Sequence, residues 1–407
     1  MISSSSTNAL PAHVSPEQVR PFPYILGHKT TADPYSFVPE IRNYPPIFWA
    51  EKVINGVDGA WVPRRAEDVR KVFSDSEHFT VRDMAPFARL CGESWFLVPA
   101  EVDPPLHTVL RSTVNPLFTP KKMALLEGKI RQYAREYVRE MAPRGQCNFM
   151  NDFAFEFPIR VFLELMGLPQ ERVAEFLSWE HSLLHEPDIA KIIDATRAVN
   201  AYLAEECESR RRAPRDDLIT FAVQADVKGR PMTDDEITGF CFNLFIGGLD
   251  TVSTNMGLQF RHLAERPDHQ ATLRENPEKI PAALDELMRA YSPILNRREC
   301  IKEVEIAGQK ILPGDKIMVP AFLAGRDPEE FPNPDEVILD RKPRHVTFGY
   351  GVHTCIGMHL ARREMRIGME EFLSGIPEFR IAPGAVVESY LAGTIQPVEI
   401  PLVWEAA

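Results

Sequence analysis

The chain has 407 residues, 44% hydrophobic and 26% charged, ordinary for a globular protein with a large core. A formal net charge of −12 argues against a general nucleic-acid binder. Six scattered cysteines with no C-x-x-C pair argue against a disulfide scaffold and fit a reducing, cytoplasmic compartment, and no run of about 18 apolar residues could span a membrane.

The N-terminal MISSSSTNALPAHVSPEQ has neither a basic n-region nor an apolar h-region, so residues 1–20 are expected to be an extended arm. No Gly/Ser-rich linker divides residues 21–407, which are expected to form a single domain. A little sheet is expected at PPIFWA and GAWVP. In DPPLHTVLR, the i, i+4 spacing places His107 and Arg111 on one helical face. KIIDATRAVNAYLAEECESRRR repeats apolar residues at three and four, as a helix does. A longer helix follows. It opens on a capping box, Thr233 with Glu236, and can run until Pro267, roughly 45 Å at 1.5 Å per residue. Its flanks are apolar nearly all round, which predicts a central, buried position. IPAALDELMRAY is amphipathic and carries Glu286 and Arg289. Arg298 leads into a strand pattern, and VEIAGQKILPGDKIMVP reads as short strands broken at Ala307-Gly308 and Pro313-Gly314. CIGMHLARREMRIGMEEFL returns to helix, with Ile356, Leu360, Phe372 and Leu373 on its core face. The fold class expected is mainly α with a small β region.

FGYGVHTCIG, residues 348–357, puts three glycines and one cysteine where a loop meets a helix. Helix N-terminal N–H groups favour a thiolate at Cys355. Gly349 and Gly351 allow sharp turns, Gly357 lets a flat ligand approach, and Phe348 can shield the sulfur. The plain alternative is a buried thiol in a tight turn. Zinc on His353, Cys355 and His359 would lack a fourth ligand.

Three further groups are weak signals taken singly. GGLDT, residues 247–251, interrupts the long helix and reads as a locally opened groove. There Thr251 would meet a ligand and Asp250 would reach a proton supply; the plain alternative is a packing kink with Asp250 paired to an arginine. Glu286 and Arg289 at i, i+3 would usually be a solvated ion pair. His107, Arg111, Arg298 and His353 are surface charges or, together, a clamp for an anion such as a carboxylate.

Read in order, GGLDT, ELMR, AGRDPEEFPNPDEVILDR and FGYGVHTCIG resemble the signature of the cytochrome P-450 superfamily, the haem-thiolate monooxygenases. GQCNFMNDFAFEFPIRVFLELMGLP and the terminal IPLVW extend the resemblance, which is nearest to the soluble bacterial camphor-hydroxylase branch. It implies haem b (iron protoporphyrin IX) buried between the long helix and the Cys355 loop, with Cys355 as axial thiolate. It also implies that Thr251 and Asp250 serve dioxygen and its protons, that Gly247 and Gly248 make room for dioxygen, and that His107, Arg111, Arg298 and His353 bind the propionates. Glu286 and Arg289 would brace the Cys loop. The implied reaction is R–H + O₂ + 2e⁻ + 2H⁺ → R–OH + H₂O.

No flavin or nicotinamide fingerprint is present, so electrons must come from outside. RKPRH, residues 341–345, with Arg362 and Arg363, would offer a basic face to an acidic [2Fe-2S] ferredoxin served by an NADH-dependent reductase. The chain departs from the camphor branch at three places. Trp95 stands for a substrate-binding tyrosine, Asn243 for an aliphatic residue, and Asn296 for an aspartate. These changes point to another apolar substrate of terpenoid size with one oxygen, such as a norisoprenoid ketone. The expected pocket is Phe87, Trp95, Asn243, Ile246, Ile294 and Thr394.

Overall fold

The computed structural model describes residues 10–24, 28–31, 33–54, 58–186, 188–391 and 393–406. The helices that build the site are α1 (Ala66–Ser74), α2 (Leu106–Val114), α3 (Glu127–Met141), α4 (Glu156–Met166) and α5 (Val173–Leu184). They continue with α6 (Ile189–Arg212), α7 (Asp234–Glu265), α8 (Ile280–Ala290) and α9 (Met358–Gly375). Helix accounts for 52% of the chain, so the molecule is mainly α.

The capping box forms as its residues dictate. Thr233 Oγ1 accepts from the Glu236 N–H at 3.2 Å, and Glu236 accepts from the Thr233 N–H at 2.9 Å. From there α7 runs 32 residues without a break to Glu265, just short of Pro267. It crosses the main core. Phe240, Met256 and Phe260 are fully buried, and Phe260 stacks on Phe149 at 4.2 Å and meets Phe372 of α9 at 4.9 Å. Each such ring stabilises the fold by about 1.5–3 kcal/mol through burial alone. α9 is also tied to α3 by Arg131 with Glu370 at 2.6 Å and by Arg366 with Glu127 at 2.8 Å.

Among the described residues, the strands form four small sheets. Strands β1 (Ile47–Ile54), β2 (Asp58–Pro63), β3 (Phe79–Thr80), β4 (Leu295–Cys300), β5 (Val304–Ile306), β6 (Gln309–Ile311) and β7 (Lys316–Pro320) follow one another along the chain. Five of them form one sheet in the order β1-β2-β7-β4-β3. The two strands expected near the N-terminus pair antiparallel, and β2 lies parallel to β7 with Trp61 opposite Ile317. β5 and β6 make the hairpin expected at Ala307-Gly308, both residues having positive φ. A smaller sheet includes β8 (Ser389–Leu391) and β9 (Ile395–Pro397), antiparallel to each other.

The described part of the expected arm, residues 10–20, is packed on the fold. Val14 is buried, His13 bonds Asp315 at 2.9 Å, and Val19 pairs with Trp49. Burying the apolar Val14 side chain stabilises this packing. Residues 1–9 lie outside the described residues. No helix among the described residues is long and apolar enough to cross a membrane.

Candidate active site

The Cys355 loop is set by backbone geometry. Gly349 and Gly351 have φ of +73° and +74°, in the left-handed region that only glycine adopts cheaply. The Cys355 N–H then donates to Phe348 O at 2.8 Å, and the Gly349 N–H to Val346 O at 2.8 Å. A Cβ on Gly351 would come within 2.8 Å of Ser74 Cα, so this glycine also seats the loop on α1. Cys355 is exposed, although the protein around its sulfur partly desolvates the thiol. A Cβ on Gly357 would meet the Cys355 sulfur at 3.9 Å and nothing else within 4 Å. Burial pushes the thiol pKa up. The N–H groups of Gly357 and Met358 and the cations Arg111 and Arg362 pull it back.

In α7, Gly247 is exposed and a Cβ there would meet nothing within 4 Å. Thr251 Oγ1 donates to Gly247 O at 3.1 Å, and Asn255 Nδ2 to Thr251 O at 2.8 Å. Two expectations change here. The helix is not opened at GGLDT, because side chains hydrogen-bond to its carbonyls without breaking the ladder. Gly248 does not make room for a ligand: its Cβ would strike Phe162 of α4 at 2.9 Å, so the space it leaves belongs to that ring.

Asp250 is buried and paired, though not to an arginine. His185 Nε2 lies 3.1 Å from its Oδ1, and Thr394 Oγ1 donates to Oδ2 at 3.0 Å. Gln396 Nε2 also donates to Oδ1, and Thr254 Oγ1 reaches it at 3.4 Å. His185 in turn lies 3.3 Å from Glu180 Oε1.

The four candidate anion-binding residues cluster beside the loop. The rings of His107 and His353 stand 4.2 Å apart. Both His107 nitrogens and His353 Nε2 are buried with no hydrogen-bond partner among the described residues. Burial, then His107, Arg298 and Arg111, push the His353 pKa down to about 3, and burial with Arg111 lowers that of His107. Arg298 is buried over the Phe73 ring at 5.3 Å, and burial lowers its pKa to about 10. Arg111 is held by Asn115 Oδ1 and Thr354 O, each at 2.6 Å.

Glu286 and Arg289 are both fully buried, not solvated. Arg289 forks onto the carboxylate with Nε at 2.7 Å and Nη2 at 2.8 Å. It also donates to the carbonyls of Gly325, Pro334 and Glu336. Glu286 Oε1 accepts from the Ile338 N–H at 2.9 Å and from Arg341 Nε at 3.0 Å. The network therefore ties α8 to the meander that leads into the Cys355 loop.

The family description cytochrome P-450 matches residues 173–384. The chain is 39% identical to probable cytochrome P-450 127A1 from Sinorhizobium fredii, over 93% of this chain and 92% of that one. It is 34% identical to erythromycin C-12 hydroxylase from Saccharopolyspora erythraea, over 78% and 82% respectively. The crystal structure of cytochrome P-450 CYP101C1 superposes with a TM-score of 0.88 at 33% identity, covering 98% of this chain and 100% of that one. The chain belongs to the cytochrome P-450 family.

This P-450 is therefore an oxidoreductase, a haem-thiolate monooxygenase, and haem b is the cofactor its family binds through a cysteine thiolate. The residues present fit that group. An exposed sulfur in a glycine-rich loop suits the iron, and unpartnered buried imidazoles beside Arg298 and Arg111 suit its carboxylates.

The substrate-side residues of the P-450 are only partly gathered. Phe87 and Trp95 both pack on Phe242, at 5.4 Å and 4.7 Å, and Ile246 is half-buried one turn further along α7. The Trp95 N–H is already given to Glu93. Asn243 Nδ2 donates to Val98 O at 3.1 Å. Ile294 bridges to Thr394, whose hydroxyl donates its hydrogen to Asp250 and can only accept from another group. Asn296 lies on β4 opposite Val319.

The basic face is also thinner than the sequence implies. Arg341 belongs to the Glu286 network. Arg362 bonds Asp285 at 3.1 Å and covers the Phe348 ring at 4.6 Å, while Arg363 lies 3.5 Å from Glu127. Lys342 and Arg344 remain exposed. Sequence reasoning missed Glu180, His185, Gln396 and Phe242. The first three have no local motif, but Phe242 sits three residues before Phe245 on an apolar helix and was open to a periodicity argument.

Proposed function

We propose that this P-450 hydroxylates a small apolar substrate of terpenoid or norisoprenoid size, with Cys355 as the residue that would hold its haem iron. The haem supplies dioxygen activation, which the thiolate promotes by donating electron density. The chain supplies position, dryness and protons. His107, Arg111, Arg298 and His353 would hold the propionates, and the observation that carries the reading is the buried nitrogens of His107 and His353 that have no hydrogen-bond partner among the described residues. Gly357 leaves space beside the sulfur for a flat ring, and Gly247 leaves space on α7 that dioxygen would use. Phe348 shields the sulfur under Arg362. Thr251 presents its hydroxyl next to the Gly247 opening, and Asp250 lies one residue away as the acid. Glu286 and Arg289 brace the loop from behind.

The aromatic wall of Phe87, Trp95 and Phe242 with Ile246 and Ile294 favours an apolar molecule. Val98 O can only accept, which fixes the Asn243 amide nitrogen toward it and leaves Oδ1 as an acceptor. A substrate hydroxyl suits that oxygen better than the ketone anticipated from sequence. Two electrons per turnover come from a [2Fe-2S] ferredoxin with an NADH-dependent reductase, docking near Lys342 and Arg344. Six free thiols suit a cytoplasmic location, which is part of the same proposal.

The test is the absorbance spectrum of the reduced, CO-exposed protein beside a Cys355→Ala variant. A strongly red-shifted Soret band lost in the variant supports the ligand. A histidine-type band surviving in the variant overturns it. Titration with matched terpenoid alcohols and ketones then tests the substrate: spectral shifts with neither group remove that part of the proposal, and tighter ketones remove the role of Asn243.

A further inference from the structure

His185 places one ring nitrogen between two buried carboxylates. Its Nε2 is 3.1 Å from Asp250 and 3.3 Å from Glu180, while Nδ1 is buried with no partner among the described residues. A single N–H cannot make a separate bond to each of two carboxylates. One more proton is needed for the three groups to be satisfied away from water. Asp250 is not the place for it. Thr394, Gln396 and Thr254 already aim donors at its oxygens, so they leave no vacant acceptor position there for a further hydrogen. Glu180 has no such set of donors: His185 bonds it, and its other close polar neighbour is the Asp250 carboxylate.

We propose that Glu180 and His185 are positioning residues that load the proton Asp250 passes on, forming a proton-holding site where the C-terminus of α5 meets α7. The proposal rests on Asp250 serving as the acid of the monooxygenase reaction. Its chemistry is proton transfer alone. A proton from water joins the Glu180 carboxylate, and the charge of the triad rises from −1 to 0. Glu180 O–H then protonates His185 Nε2 as that nitrogen gives its hydrogen to Asp250 Oδ1. When the Asp250 proton leaves toward Thr251, the triad returns to −1 and can load again. No electron moves and no bond to carbon changes.

The electrostatics agree. Burial, with Asp250 alongside, raises the Glu180 pKa to about 7. Burial alone would lower that of His185, but its bonds to Asp250 and Glu180 outweigh this and raise it to about 10. The other groups facing the triad come from four directions. His181 of α5 stands 5.8 Å ring to ring from His185, and Tyr390 of β8 stands 5.6 Å away. Glu186 is neutralised by Lys191 of α6 at 2.9 Å, and Lys29 by Glu388 at 3.2 Å. The three ligand atoms also lie close enough together to hold a metal ion. A cation would have to displace the donors on Asp250, so the proton is favoured.

Infrared difference titration of the holoenzyme across neutral pH tests this directly, because a protonated carboxyl group has its own carbonyl band. The wild type is expected to show one titrating near pH 7, absent in Glu180→Gln and kept in Asp250→Asn. Glu180→Gln should also lower kcat about tenfold or more, remove the limb near neutral pH from its profile and leave KM unchanged. Glu180→Asp should restore part of the rate. Should Glu180→Gln misfold, His185→Gln is expected to move the band's midpoint. A band that persists in Glu180→Gln, an unmoved kcat profile, or stoichiometric zinc binding abolished in His185→Gln would each overturn the proposal. Loss of the thiolate CO band would instead defeat the Cys355 assignment, and the infrared titration would still decide the triad.

Discussion

Replacing Glu286 by glutamine changes one atom in a fully buried network, and its cost can be worked out. Oε1 accepts three hydrogen bonds, from Arg289 Nη2, Arg341 Nε and the Ile338 N–H, whereas Oε2 accepts one, from Arg289 Nε. The amide of Glu286→Gln will keep its oxygen at the busier position and turn its NH₂ toward Arg289 Nε, setting donor against donor. That forfeits a charge-assisted bond worth about 1.5–3 kcal/mol. It also leaves a buried guanidinium without its counter-charge, and breaking a buried pair costs about 3–5 kcal/mol in all. At about 2 °C per kcal/mol for a large domain, the thermal midpoint of the holoprotein should fall by about 6–10 °C. Glu265→Gln is the control, since it breaks an i, i+4 pair with Arg261 whose carboxylate is 48% exposed. That pair is worth about 0.3–0.5 kcal/mol, which is about 1 °C. Calorimetry of the two variants beside the wild type decides the matter. Equal shifts would refute the claim that Glu286 and Arg289 brace the fold.

Gly247→Ala and Gly248→Ala should behave oppositely. The first adds a methyl to open space and should gain up to about 1 kcal/mol in helix propensity while weakening CO binding. The second presses on Phe162 and should cost about 1–3 kcal/mol; thermal midpoints and CO titrations read both. Folding raises the pKa of Glu180 from 4.5 to about 7 and that of His185 from 6.5 to about 10. Their stabilisation is therefore full below the unfolded values and is lost as pH rises through about 7 and then about 10. The thermal midpoint should decline over that range more steeply in the wild type than in a Glu180→Gln, His185→Gln double variant. Arg344→Glu should raise the KM for ferredoxin several-fold at low salt, with the difference fading at high salt and kcat unchanged.

The features legible in the sequence are those whose causes are local. Gly349 and Gly351 announce positive φ, Thr233 and Glu236 announce a helix start, and Pro267 announces its end, because each acts on backbone within a few residues. The surroundings of Asp250 were not legible for the complementary reason. His185, Thr394 and Gln396 lie 65, 144 and 146 positions away in sequence, and no periodicity links them. Gly248 misled for the same reason, since the ring that needs its space belongs to α4. Arg341 was counted as surface charge because its partner Glu286 is 55 residues distant. Composition can report that charges exist, but it cannot tell which of them folding consumes.

The segment carrying Trp95 is latched to the long helix at two points one turn apart. The Val98 N–H donates to Gly239 O at 3.3 Å, and Val98 O accepts from Asn243. At Gly239 the chains approach so closely that a Cβ would lie 1.8 Å from Phe96 O. Side chains on this segment can be exchanged without shifting its backbone, because neither latch uses them. An inserted or deleted residue between Trp95 and Val98 would slide the main chain off Gly239 and drag the long helix with it. Descendants of this enzyme that change substrate should therefore differ along this stretch in residue identity while keeping its length.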